Sequence, residues 1–173
     1  MKTEWSGRVA MVACLFIACG FITGCASEES SDEMEEQVWT LDSRSKSQGA
    51  IGAMSEMVDY GVKRLALSAA LPPGEMDEVM DDAIEIATRH NVEVYRETDF
   101  LVTDLFSAEL TDGKHVLFIC HPSTYQEYLK LKADKQLLVE SDRYVGEART
   151  EIARRFGRLL SYPDSTITRH LSD

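Results

Sequence analysis

The chain has 173 residues, 44% of them hydrophobic and 28% charged, and a formal net charge of -12. Its length suits one domain and its composition an ordinary globular one, which excludes a fully disordered chain and a multi-spanning membrane protein. The acid excludes nucleic acid as a partner, because residues 26–113 hold 6 Lys and Arg against 21 Asp and Glu and offer no basic face to displace counterions.

Lys2 and Arg8 give a positive start, and Val9 to Cys19 is an apolar run without charge. Val9 to Gly24 is 16 uncharged residues, short of the roughly 20 that a membrane-spanning helix needs, and has the make-up of a signal-peptide core. Ile22-Thr23-Gly24-Cys25 follows.

That stretch resembles the lipobox of bacterial lipoproteins. The resemblance implies that residues 1–24 are a signal peptide and that Cys25, lipidated on its sulfur, becomes the first mature residue. The thiolate is the good nucleophile there, and two or three acyl chains, at ~0.8 kcal/mol per buried methylene, hold a protein where one chain does not. The lipid makes the membrane a partner and the bacterial cell envelope the location. Ala26 after the cysteine, in place of Asp, resembles the signal for the outer membrane, with the domain facing the periplasm.

Cysteine use agrees with this. Cys14 and Cys19 leave with the signal peptide and Cys25 takes lipid, so Cys120 alone remains and is expected to be a core thiol. Residues 25–48 carry Glu28, Glu29, Asp32, Glu33, Glu35 and Glu36 among serines and read as the lipidated cysteine followed by an acidic flexible tether. One domain is expected over residues 49–163, with a loosely held tail over 164–173.

In that domain Ile51, Met54, Val58, Leu65 and Ala69 share one helical face, and Pro72-Pro73 ends the run. A second helix buries Met76, Val79, Met80, Ala83 and Ala87, with Asn91 as its C-terminal cap. Its acids Glu75, Asp77, Glu78, Asp81, Asp82 and Glu85 lack the order of a calcium loop and read as a solvated face. Val92 to Tyr95 alternates like a strand, Phe100 to Leu110 supplies a second run, and His115 to Cys120 a third. Asp112-Gly113 predicts a two-residue hairpin between the last two. Ser123 and Gln126 match a capping box opening a third helix, and Val145, Ala148, Ile152, Phe156 and Leu159 form the stripe of a fourth. The expected fold is α+β: a helical hairpin, a three-stranded mainly antiparallel sheet, and two helices on one sheet face.

The predicted hairpin sets Asp104 opposite His121. An aspartate there would orient the imidazole, as in a general base, so Asp104 and His121 are the candidate catalytic pair. His121, Ser123, Thr124 and Tyr125, at a helix start, are the candidate site for a small anionic ligand. Arg149, Arg154, Arg155 and Arg158 on the last helix are expected to answer the acidic second helix, within the molecule or between neighbours. No G-x-S-x-G, H-E-x-x-H or Gly-rich phosphate loop occurs, and His90 and His170 lack partners at metal-ligand spacing, so neither metal nor cofactor is expected. The leading expectation is a non-enzymatic envelope lipoprotein that binds an envelope protein or small ligand. The alternative is a small hydrolase or acid–base enzyme using Asp104 and His121.

Overall fold

The structure is a computed structural model and describes residues 43–172. The expected signal peptide, the lipobox ending at Cys25 and the tether up to residue 42 lie outside the described residues.

Helix α1 (Ser43–Asp59) begins inside the stretch expected to be tether. It ends at Gly61, whose φ of +71° is the left-handed conformation that glycine adopts without steric cost, and Val62 donates its N–H back to the Met57 carbonyl at 2.9 Å. The helix expected to run on to Ala69 therefore stops, and β1 (Leu65–Leu67) follows as a strand. Helix α2 (Pro73–Arg89) has proline in its first turn, where no N–H is needed, and buries Met76, Val79, Ala83, Ile86 and Ala87. Asn91, at φ +55°, closes it as the sequence predicts. The turns at residues 43–48 are tied down, since Arg44 and Gln48 both donate to the Asp82 carboxylate of α2, at 2.6, 2.9 and 2.8 Å.

Strand β2 (Glu93–Glu97) forms where alternation predicts it. The second expected strand does not: residues 98–115 are a loop with a short 3-10 turn at Ala108–Leu110. Two of the apolar residues there are buried without strand pairing. Phe100 and Leu101 enter the core, and side chains of a later helix take over their backbone groups, with Leu101 N–H donating to Tyr128 Oη at 3.2 Å and Lys135 Nζ to the Val102 carbonyl at 2.8 Å. Gly113 has φ +65°, but the turn it makes, closed by Lys114 N–H on the Thr111 carbonyl at 3.0 Å, leads into β3 and joins no hairpin.

Strand β3 (Val116–Cys120) is followed by α3 (Pro122–Glu140), α4 (Gly146–Leu159) and α5 (Asp164–Ser172). The sheet order is β1-β3-β2, with both pairings antiparallel: Leu65, Ala66 and Leu67 face Cys120, Ile119 and Phe118, while Glu93 faces Cys120 and Glu97 faces Val116. Both outer strands run against β3, so they are parallel to each other, and α2 makes the crossover between them. The fold is α+β, with a three-stranded antiparallel sheet.

Every residue of β3 is buried, because the pleat sends its side chains alternately into two cores. Leu117 and Ile119 join Ala66, Ile51, Val58, Met76 and Ala83 under α1 and α2. Val116, Phe118 and Cys120 join Leu65, Tyr128, Leu131, Ile152 and Phe156 under α3 and α4. The second core is aromatic: Phe100 meets Phe106, Phe118 and Phe156 edge-on or nearly so at 5.6 to 5.9 Å. Residues 164–172, expected to be loosely held, form a helix. Helix α5 buries Ile167 completely.

Candidate functional site

The predicted catalytic pair rested on a register that does not form, because β1 and β2 flank β3 and residue 104 lies in a turn closed by the Thr103 and Phe106 backbones. Asp104 instead binds α4: its Oδ1 accepts from Arg149 Nε at 2.7 Å and also from the Arg149 terminal nitrogen. His121 is the exposed N-cap of α3. The motive for pairing the two is gone.

The helix start is also built differently. Pro122 opens α3, and neither Ser123 nor any other side chain caps it. The His121 carbonyl takes the N–H groups of both Thr124 and Tyr125, at 2.9 and 3.2 Å, so the chain itself uses these donors. Thr124 is buried, and the Tyr125 ring stacks on Tyr95 at 3.8 Å with 9° between planes. Ser123 and His121 are exposed. Cys120 is a free, fully buried thiol whose pKa is pushed up to about 12 by burial and by the nearby Glu93 carboxylate. The α4 arginines do not reach α2 either. Arg149 pairs with Asp104, Arg154 with Glu147 and Glu151, Arg155 with Asp134, and Arg158 with Asp164.

A cavity of about 400 Å³ lies on the other sheet face, under the first turns of α1. Its floor is Leu117 and Ile119 of β3, with Val79 of α2 beside them, and its far wall is Leu67 at the end of β1 and the segment after it, with Ser68, Ala69 and Leu71. Ser68 is held in place there, since its Oγ accepts the Leu117 N–H at 2.9 Å and donates to the Ala69 carbonyl at 2.8 Å. The near wall is α1, through Ser43, Lys46, Ser47, Ala50, Ile51 and Met54. These positions are spaced by three and four residues and so share one helical face. That face is graded: polar over its first turn, apolar over the next two. Lys46 makes no ion pair among the described residues.

Such a cavity, apolar inside with a few polar groups and one cation at the rim, is suited to binding and carries no nucleophile–base pair. Among the described residues no cluster of three His, Cys, Asp or Glu is close enough to hold a metal ion, and no helix is long and apolar enough to cross a membrane. Sequence reasoning missed this site because Ser43, Lys46 and Ser47 read as tether and Leu67 to Leu71 as the end of a helix. The three- and four-residue spacing from Ser43 to Met54 was the available signal.

Comparison with family models, with curated proteins and with solved structures gives no match.

Proposed function

We propose that this chain is a lipid-anchored bacterial envelope protein, held through Cys25 at the outer membrane and facing the periplasm, whose domain is a non-enzymatic binding module for an amphiphilic small molecule. The observation that carries the binding reading is the graded face of α1 over an apolar cavity. An acyl chain or similar tail would lie against Ile51, Met54, Leu117 and Ile119. An anionic head would lie at Lys46 with the hydroxyls of Ser43 and Ser47. Each buried methylene of the tail would contribute ~0.8 kcal/mol, so even a short chain would bind measurably. The anchor reading is supported by the Ile22-Thr23-Gly24-Cys25 motif.

Two experiments test the two halves. A fluorescent fatty acid titrated into the purified protein is expected to bind saturably, to lose binding when Ala50→Phe fills the cavity mouth, and to bind less tightly in Lys46→Glu. No binding, or binding indifferent to Ala50→Phe, overturns the module. In cells, labelling with an alkyne fatty acid is expected to mark the protein and to vanish in Cys25→Ala; label that persists overturns the anchor.

A further inference from the structure

A second cavity, of about 320 Å³, opens on the opposite side of the sheet, between α3, α4 and the residue before β1. Both helices present the same pattern to it. Glu127, Lys130 and Leu131 of α3, and Arg155, Arg158 and Leu159 of α4, are spaced i, i+3 and i+4, which sets charged groups at the rim over leucine at the bottom. Arg64 completes the ring. Four cations and one carboxylate thus line the cavity, in a chain whose net charge is -12.

The cations are positioned but not used up. Arg155 gives one terminal nitrogen to Asp134 at 2.7 Å, and Arg158 gives Nε to Asp164 at 3.1 Å, with one terminal nitrogen 4.0 Å from Glu151. Arg64 gives one terminal nitrogen to Glu127 at 2.6 Å, while its backbone N–H donates to Ser161 Oγ at 2.8 Å. A guanidinium has five N–H donors in a rigid fork, so each arginine keeps donors for another acceptor, and its present partner stiffens it. Lys130 makes no ion pair among the described residues. Carboxylate ligands would satisfy one or two of these groups, whereas a phosphoryl group has three oxygens and up to two charges to share among all four.

We propose that this basic cavity binds a phosphate-bearing small molecule or lipid headgroup, held by Arg64, Lys130, Arg155 and Arg158. The site is separate from the amphiphile cavity and stands or falls independently of it. Glu127, the carboxylate in the lining, occupies Arg64 while the site is empty and opposes the anion.

The test uses the full chain and two soluble probes, inorganic phosphate and glycerophosphoglycerol, with binding read by calorimetry. Lys130→Gln is expected to weaken binding roughly tenfold, the loss of one charge-assisted hydrogen bond, with no change in melting temperature, because Lys130 makes no ion pair among the described residues. Arg158→Gln should weaken it similarly, and Glu127→Gln should strengthen it. Preference for inorganic phosphate supports the proposal with a free phosphomonoester as ligand. Equal or tighter binding of glycerophosphoglycerol supports it with a lipid headgroup. Binding of neither probe, or binding unmoved by both Lys130→Gln and Glu127→Gln, overturns it.

Discussion

The Ile167 side chain of α5 rests against the bare Cα of Gly157 in α4, so closely that a methyl group built on Gly157 would lie 2.8 Å from Ile167 Cγ1 and Cδ1 and 3.0 Å from Leu105 Cδ1. The absence of a side chain at residue 157 is what lets the last helix seat. Gly157→Ala would gain about 1 kcal/mol in helix propensity, but it must displace the buried Ile167 and the half-buried Leu105, and overpacking of that kind costs about 1–3 kcal/mol. The expected result is a lower urea midpoint and faster proteolysis within residues 164–172. An unchanged cleavage rate would mean that α5 is not held by this contact.

Glu97 is nearly buried, with 7% of its side chain exposed, and is balanced by Lys132 Nζ at 3.1 Å and by the Asp99 N–H at 2.8 Å. Lys132 also bonds the Asp99 carbonyl, so one ammonium closes the start of the long loop onto α3. Lys132→Met leaves a buried carboxylate without its cation and is expected to cost about 3 kcal/mol, while Glu97→Gln costs less because Lys132 keeps the Asp99 carboxylate at 2.9 Å. The double variant should be less damaged than the sum of the two, as measured by denaturant unfolding of all four proteins. Additive losses would show that the pair is not coupled.

Asn91, Asp142 and Ser161 all have positive φ, at 55°, 56° and 61°, and each follows the end of a helix, in the place glycine favours. Asp142→Gly is expected to stabilise the protein by about 0.5–1 kcal/mol by removing the strain of a side chain in the left-handed region. Ser161→Gly should gain less or lose stability, because Ser161 Oγ is the acceptor for the Arg64 N–H. Paired thermal melts check the order of the two variants; equal gains would show that the Ser161 bond is worth nothing.

Asp82 provides the pH dependence. Hydrogen bonds from Arg44 and then Gln48 lower its pKa from 3.8 to about 2. A depressed carboxylate stabilises the fold above its unfolded pKa, and that contribution is lost as pH falls through the folded value. The difference in urea midpoint between wild type and Asp82→Asn should therefore be constant above pH 4 and shrink between about pH 4 and pH 2. A difference that does not change over that window would mean that Arg44 does not hold Asp82 in solution.

Helix α2 and strand β3 were legible because each has one strong signal: a single apolar stripe on α2 and an unbroken apolar run on β3. The loop over residues 98–115 misled for a physical reason. Apolar spacing records that Phe100, Leu101 and Phe106 are shielded, but not whether their backbones pair with a strand or with Tyr128, Lys132 and Lys135. Strand β1 is three residues long and carries too little pattern to interrupt a helical reading, although Gly61 marked the break. That one error propagated. With residues 65–67 read as helix, nothing competed with the hairpin that Asp112-Gly113 signals, and that hairpin created the Asp104 and His121 pairing. The cavity under α1 was hidden by its polar rim, since Ser43, Lys46 and Ser47 share a face with Ile51 only once the helix is known to start at Ser43.

The central position of β3 also bears on how the chain folds as it is made. Among the described residues it is the last strand in sequence, yet each of the two earlier strands has it as its only sheet partner. Until residue 120 is available, β1 and β2 lack the strand they pair with among the described residues, and the apolar faces of α1 and α2 have no floor. Sheet formation must then await Cys120, so the pairing of β1 and β2 is a non-local step that the chain cannot take while only its first helices are present.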